Sequence, residues 1–488
     1  MAFLSYGPVA RFRAEENAVK DTPDDPLAAL RTLLGDAHVL TGGDVEKFAR
    51  DWTGKWRADP LAVVRPANTA EVSQVVKLAA AFDLSIVPVG GNTGLVGGTS
   101  NTGALMISLE RMTTIRDIRP AAGLAVVEGG AILSDIHAAV EAQDMFFPLT
   151  FGARGSARVG GFLSTNAGGS NVVRYGPTRG LVLGIEVVLA DGRILDLMSE
   201  LRKDNSGYDL RDLFIGGEGT LGIITAAVLR LVPKPRHHAA ALVAVRDLPA
   251  SLRLLRALQS ATDGAVEAFE YMPRSYMTAL ATHRPDLRQP FAVHDHCVMI
   301  DLGGLSRPLG DVMEAVLEAG VESGDVLDAM VAQNEAQRRL IWDMREAAAE
   351  ITFTRLPIVD NDVALPLDAV AQFIDDMHAG LATLDPGADT LIVAHLGDGN
   401  VHLTVYPTDD GQLDAIREMI EGVTVSLGGS ISAEHGIGLS KLTTMTRRKD
   451  PVALDVMRAI KTALDPDNRM NPGKVIPERT GGAGTPPT

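Results

Sequence analysis

At 488 residues the chain is too long for one compact core, and two or three domains are expected. Its formal net charge of −17 offers no basic footprint for phosphate, which excludes nucleic-acid binding as the main role. The single cysteine, Cys297, excludes a disulfide framework, an iron–sulfur cluster and a cysteine-based zinc site on this chain. No apolar run is long enough to span a bilayer. The opening MAFLSYGPVARFRAEENAVK lacks an apolar stretch followed by a cleavage signal. A cytoplasmic protein is the expectation.

In chain order, residues 1–44 read as an N-terminal arm with a short helix at Pro26–Leu34. From Val63 to Pro235 β-branched runs such as SIVPVGG, LAVVEGG and LGIITAAVLRLVP alternate with glycine turns. Between them TAEVSQVVKLAAAF and ILSDIHAAVEAQ carry helical spacing. PKPRHH (Pro233–His238) reads as a linker, with His237 and His238 facing solvent. Beyond it the pattern predicts mixed strands and helices, including a long helix from Val326 to Thr352 and a hairpin at 391–406. His294 and His296 share one side of a strand. Pro451–Leu464 reads as a final helix, and Thr480–Thr488 as disordered.

Gly217-x-Gly219-x-x-Gly222 matches the Rossmann fingerprint letter for letter. That fingerprint needs a helix directly after it to receive a pyrophosphate. Here Ile223-Ile-Thr-Ala-Ala-Val-Leu-Arg reads as a strand, so a nicotinamide site is rejected. Two other clusters are more informative. In Pro88-Val-Gly90-Gly91-Asn92-Thr93-Gly94-Leu95-Val-Gly97-Gly98, successive backbone N–H groups can form an anion nest for a diphosphate. The second is Gly160-Gly161-Phe-Leu-Ser-Thr-Asn166-Ala-Gly168-Gly169. Either cluster alone is equally a tight turn; three in one region favour a ligand.

These stretches, with Pro148 in FPLTFGA, Glu218, Gly222 and Ile224 in DLFIGGEGTLGIIT, and Asn471 in the Asn471-Pro-Gly-Lys segment, resemble the vanillyl-alcohol oxidase/p-cresol methylhydroxylase superfamily. The resemblance runs over residues 45–478. It is nearest to the branch containing D-lactate dehydrogenase, D-2-hydroxyglutarate dehydrogenase and the glycolate oxidase flavin subunit. It implies an α+β fold: a two-part FAD-binding domain of the p-cresol methylhydroxylase type, a cap domain with an antiparallel sheet covered by helices, and a C-terminal helical segment. The expected divisions are 1–44, 45–235 (FAD binding), 236–430 (substrate cap), 431–478 (completing both sites) and a tail at 479–488. Asn92 and Thr93 stand where covalent members often carry a histidine, which implies non-covalent FAD. The resemblance implies as its binding residues Pro88, Gly90, Gly91, Asn92, Thr93, Gly94, Leu95, Gly98, Pro148, Gly160, Gly161, Asn166, Gly169, Glu218, Gly222, Ile224 and Asn471.

The remaining chemistry lies in Ala394-His395-Leu-Gly-Asp-Gly-Asn-Val-His402-Leu-Thr404. Asp398-Gly399 is a hairpin dipeptide, and a two-residue turn there sets His395 directly across from His402 on one face. Opposed Cβ atoms lie about 4.5–5.5 Å apart, close enough to share a metal. Without a carboxylate the pair would read rather as a stacked surface pair. Glu434, in Ser432-Ala-Glu434-His435-Gly436, supplies one, and two histidines with a carboxylate suit zinc, manganese or iron. Sequence does not bring Glu434 to the hairpin; the resemblance does. It implies His395, His402 and Glu434 as ligands of a divalent metal, zinc first, and His435 as the base. It also implies Arg345 as the clamp on the substrate carboxylate, with Thr404 in the substrate site.

Ala349, Asp360 and Thr404 depart from the 2-hydroxyglutarate pattern, which has threonine, lysine and asparagine there. Asp360 would repel a second substrate carboxylate by about 4 kcal/mol at 4 Å and an effective dielectric near 20, unless Arg355 compensates. The expected activity is oxidation of a D-lactate-like D-2-hydroxy acid. D-2-hydroxyglutarate dehydrogenase and a glycolate oxidase-type subunit are the alternatives, and a metal-dependent hydrolase is the alternative from another class. Implied partners are the acid and an electron acceptor (electron-transferring flavoprotein, quinone or cytochrome), through which the protein would lie peripheral to a membrane. A homodimer is implied as well.

Overall fold

The computed structural model describes residues 25–52 and 54–479. Residues 1–24 of the expected arm, and the expected tail beyond Arg479, lie outside the described residues. The rest of the arm is not a separate piece. Asp25 accepts hydrogen bonds from the N–H groups of Leu27 and Ala28, and Pro26 starts the helix Pro26–Leu34. That helix buries Leu30 and Leu34 in the core of the first sheet. β1 (Val39–Leu40) then pairs antiparallel with β2 (Ala62–Val64). Burial of those leucines is what binds residues 25–44 to the layer that follows.

β3 (Ile86–Val89) and β4 (Leu105–Ser108) complete this sheet in the order β1-β2-β4-β3, with β2, β4 and β3 parallel. Asn68 caps the crossover helix Thr69–Ala81, whose Val72, Val75, Val76 and Ala79 are buried at the spacing of one helical face. A second, antiparallel sheet contains β5 (Ile115–Arg119) and β6 (Leu124–Glu128). After the short β7 (Met145–Phe146) it continues with β8 (Val182–Val188), β9 (Ile194–Leu197) and β10 (Ile223–Arg230), in the order β5-β6-β10-β8-β9. β7 pairs with β11 (Val232–Pro233). Ile223 onward is therefore a strand, and the Gly217–Gly222 motif has no helix behind it.

The linker is shorter than its composition indicated. His237 and His238 open β12 (His237–Val245) because they pair with Gly304 and Gly303, leaving only residues 234–236 between strands. β12 belongs to a seven-stranded sheet with β13 (Val266–Tyr271), β14 (His296–Gly304), β15 (Val326–Val331), β16 (Val359–Ala364), β17 (Asp389–His395) and β18 (Asn400–Tyr406). Its order is β15-β12-β14-β13-β17-β18-β16, antiparallel throughout. The helix expected at Val326–Thr352 is instead the edge strand β15 followed by helices Glu335–Glu346 and Ala348–Thr352. Asn334 stops the strand and caps the first of these through the Gln337 N–H. Only His296 of the His294/His296 pair lies in a strand, where its Nδ1 meets the Tyr271 hydroxyl at 2.8 Å.

Side chains alternate across this sheet. Val401, Leu403 and Val405 join one large core under helices Leu248–Ala261, Gly310–Ser323, Val370–Leu384 and Leu413–Ser426. The opposite face carries a second core with Leu391, Val393 and Tyr406 beneath helices Arg274–His283 and Glu335–Glu346. On that face, at the β17–β18–β16 end, the apolar pattern gives way to histidines and carboxylates. The C-terminal chain then returns to the first sheet, where the Ile86 N–H donates to Arg469 O and the Asn471 N–H to Ile86 O. Among the described residues no helix is long and apolar enough to cross a membrane.

Candidate active site

The glycine clusters meet one another. Gly90 lies against Gly161, with an added Cβ 3.3 Å from the Gly161 Cα, and a Cβ on Gly91 would overlap the Ser156 carbonyl. The loop can therefore approach the helix Val159–Ser164 only without side chains. Gly94, by contrast, has nothing within 4 Å of its Cβ position, so its lack of a side chain is not explained by packing. Asn92 sits at φ 54° and ties its side chain to the Arg50 carbonyl and to the Thr99 hydroxyl. Pro88 packs on Gly219, and Asn166, at φ 49°, accepts from the Arg179 N–H. Pro148 is buried, and Gly169 stands at φ 136° against Thr150 O. Gly222 is pressed onto Val187, while the Ile224 carbonyl meets Gly129 and Gly160.

At the far side of the cleft Asn471 donates to the carbonyls of Gly98 (2.9 Å) and Glu218 (2.8 Å), and its own Oδ1 is buried with no hydrogen-bond partner. A buried orphan acceptor is uncommon and calls for a donor from outside the chain. Glu218 fastens the C-terminal segment by accepting from the N–H groups of Ile437 (2.7 Å) and Gly438 (2.9 Å). A side-chain-free loop, open glycine and orphan acceptor together fit an FAD along this cleft. Thr93, Leu95 and Gly98 line the same loop.

The hairpin gives the second half of the site. Its loop is four residues, Leu396–Gly399, so His395 pairs with Asn400 and His402 with Val393. The two histidines are diagonal rather than directly opposed, because Gly399 (φ 84°) turns against the Leu365 carbonyl and sets the longer loop. They still share a face, with ring centroids 5.3 Å apart. His435 stacks on His402 at 5.6 Å, and the nearest Glu434 oxygen is 3.8 Å from His395 Nε2. Gly168 of the FAD-side domain lies against Glu434, with an added Cβ 2.5 Å from its Oε1. The Glu434 segment and the hairpin thus converge on one point beside Gly168.

Two triads there have metal-ligand spacing, within 4.8 Å: His395, His402 and Glu434, or Asp362, His402 and His435. The second is already engaged. Asp362 accepts from the backbone N–H of Glu434 (3.0 Å) and His435 (2.9 Å) and from Asn400 Nδ2 (2.9 Å), with the Lys441 ammonium 3.7 Å away. The first triad fits a divalent ion.

Burial and neighbouring charges act differently on each of these groups. Burial drives His402 well below the ordinary imidazole value and keeps it a neutral donor of a lone pair. Burial opposes charge on His395 too, but the Glu270 and Glu434 carboxylates outweigh it and hold His395 up at about 9. Burial pushes Glu434 up. Burial would also raise Asp362, yet His435, Lys441, His402 and the backbone donors hold it below the carboxylate range.

Arg345 is brought to the same face, its Nε donating to Glu270 at 2.8 Å. Thr404, two residues beyond His402, donates its hydroxyl to Asp360 at 3.0 Å. Arg355 does not answer Asp360: it pairs with Asp389 at 3.1 Å and lies over the Tyr406 ring. Sequence reasoning missed Glu270, Asp362 and Lys441. The signal for the first two was a charged residue on the inward phase of an otherwise buried strand.

Residues 60–198 match the family of FAD binding domains, and residues 234–475 match the C-terminal domain of FAD linked oxidases. The chain is 35% identical over 461 residues to the probable mitochondrial D-2-hydroxyglutarate dehydrogenase of Oryza sativa subsp. indica, covering 93% of this chain and 82% of that one. It is 34% identical to mitochondrial D-2-hydroxyglutarate dehydrogenase of Bos taurus (93% and 84% covered) and 35% identical to D-2-hydroxyglutarate dehydrogenase of Xanthomonas citri pv. viticola (89% and 93%). In fold it resembles substrate-bound p-cresol methylhydroxylase, with a TM-score of 0.74 at 17% identity over 93% of this chain and 96% of that one. Alkyldihydroxyacetonephosphate synthase gives 0.70 at 15% identity over 94% and 87%. The chain belongs to the FAD-linked oxidoreductase family with the p-cresol methylhydroxylase-type fold, in the group whose relatives are named D-2-hydroxyglutarate dehydrogenases.

Proposed function

We propose that the protein is a dehydrogenase that oxidises a D-2-hydroxy acid to the 2-oxo acid, with His435 as base beside a metal held by His395, His402 and Glu434. The observation that carries this reading is the convergence of those four side chains, one of which, Glu434, touches Gly168 of the FAD-side domain. When bound, the flavin supplies the acceptor for the substrate's α-hydrogen and its electron pair. A divalent ion would supply Lewis acidity at the substrate hydroxyl. His435 takes the hydroxyl proton; its backbone N–H is fixed by Asp362, and its ring rests on His402. Arg345, with Nε on Glu270, keeps its two terminal nitrogens for the substrate carboxylate. The electrons pass on to an acceptor of the electron-transferring flavoprotein, quinone or cytochrome type.

For the substrate tail, Asp360 and Thr404 present a carboxylate and a hydroxyl on the face that carries His402, and Arg355 is engaged elsewhere. This favours a monocarboxylate such as D-lactate or a longer relative. The second reading is D-2-hydroxyglutarate, favoured by the relatives' names and by Lys441, a cation in this site that lies 3.7 Å from Asp362 and donates to Ser432 at 3.0 Å. Steady-state rates with D-lactate and D-2-hydroxyglutarate decide between them, and the preferred substrate should change on Lys441→Met only in the second case. For the base, His435→Ala should retain flavin and lose substrate-driven flavin reduction by about 10²–10⁴-fold. A variant that binds flavin and is reduced at the wild-type rate removes His435 from the mechanism.

A further inference from the structure

Glu270 belongs to none of the motifs, yet it stands between two of the functional groups. The β13–β17 ladder pairs it with His395. Its side chain is 1% exposed, so water satisfies neither oxygen. It meets His395 Nδ1 at 2.8 Å and the Nε of Arg345, from the helix Glu335–Glu346, also at 2.8 Å.

The geometry has one consequence at each partner. With Nδ1–H held by a carboxylate, Nε2, 3.8 Å from Glu434, is the nitrogen left to face a metal. Partners of this kind fix the ring of a ligating histidine and its tautomer. At Arg345, engagement of Nε immobilises the guanidinium plane and leaves the forked terminal nitrogens aligned for a carboxylate. One carboxylate does both, and the pair it forms is too buried to be replaced by solvent.

We propose that Glu270 is a positioning residue that couples metal loading to recognition of the substrate carboxylate, by holding His395 and Arg345 through a single buried side chain. The proposal rests on the functional reading above. By reciprocity, metal held at His395 should tighten binding of the hydroxy acid, and the acid should tighten binding of metal.

The test uses flavin-loaded wild type, Glu270→Gln, Glu270→Asp, Arg345→Ala and the double variant Glu270→Gln/Arg345→Ala. Zinc affinity is read by chelator competition, and KM and kcat are read at saturating zinc with an artificial electron acceptor. Glu270→Gln should keep the wild-type flavin content and lose zinc affinity about 10–100-fold. With zinc restored, its KM should stay about tenfold raised while kcat changes less, because the clamp has lost its partner. Glu270→Asp, which keeps the charge, should recover part of both losses, and it carries the test if the glutamine variant does not fold. In the Arg345→Ala background Glu270→Gln should still weaken zinc but raise KM no further. Wild-type zinc affinity in the glutamine variant, or an equal KM effect with and without Arg345, overturns the coupling. If wild type itself neither binds zinc nor has its flavin reduced by any 2-hydroxy acid, it is the functional reading that fails, and the proposal falls with it.

Discussion

Asp362 holds more of the site in place than any ligand does. Across the ladder from His402, it gathers the N–H groups of Glu434 and His435, which arrive from a segment seventy residues further along the chain. The carboxylate therefore sets where the proposed base, His435, and the proposed third ligand, Glu434, sit. Asp362→Asn keeps the shape but halves the acceptor capacity and leaves Lys441 without a counter-charge. Charged hydrogen bonds of this kind are worth about 1.5–3 kcal/mol, so kcat should fall roughly 10–100-fold while the flavin spectrum is unchanged. A variant with wild-type kcat would show that the Glu434–His435 segment is held by something else. The pairing of His395 with His402 was legible in the hairpin pattern, whereas Glu434 and His435 joined them only through the family resemblance. Glu270 and Asp362 were not legible, since a strand reveals which face a carboxylate occupies but not which cations wait there.

At the level of elements, the hairpin shows why a register error can leave a functional reading intact. Asp398-Gly399 points to a two-residue turn, whereas the loop runs from Leu396 to Gly399. Pairing moves by two residues, an even shift, so every side chain keeps its face. His395 and His402 remain neighbours along the diagonal. The misread helix at Val326–Thr352 failed for a different reason. β15 pairs on one side only and is largely exposed, so its composition carries little strand signal.

The domains are joined by a contact that sequence gave no means to find. Glu267 of β13 accepts from Tyr175 (2.7 Å) and Arg174 (3.0 Å) of the FAD-side domain. Burial raises its proton affinity above the ordinary 4.5, and Tyr175 and Arg174 only moderate that. A carboxyl group raised in the folded state favours folding fully below its unfolded value and loses that contribution as pH climbs through the folded one. Glu267→Gln carries no such charge. Its stability relative to wild type should therefore improve as pH rises from about 4.5 toward neutrality, measured by denaturant midpoints across that range. A constant difference at all pH values would contradict the assignment.

Across the whole molecule, the order of pieces along the chain was readable because glycine loops, strand runs and a final helix are local signals. What could not be read was the closure. The C-terminal segment threads back so that Asn471 bonds Gly98 and Glu218 while Glu434 meets Gly168. These contacts bridge hundreds of residues and follow from tertiary packing alone. They make the flavin cleft and the polar end of the cap sheet one site, and chemistry should require both halves together. The direct test is anaerobic flavin bleaching of the purified protein with D- and L-2-hydroxy acids, before and after chelation. Bleaching by a D-acid, not by its L-enantiomer, that is lost on chelation and restored by zinc is the predicted result. Undiminished bleaching after the metal has been stripped, or bleaching by neither enantiomer of any 2-hydroxy acid, would contradict the account.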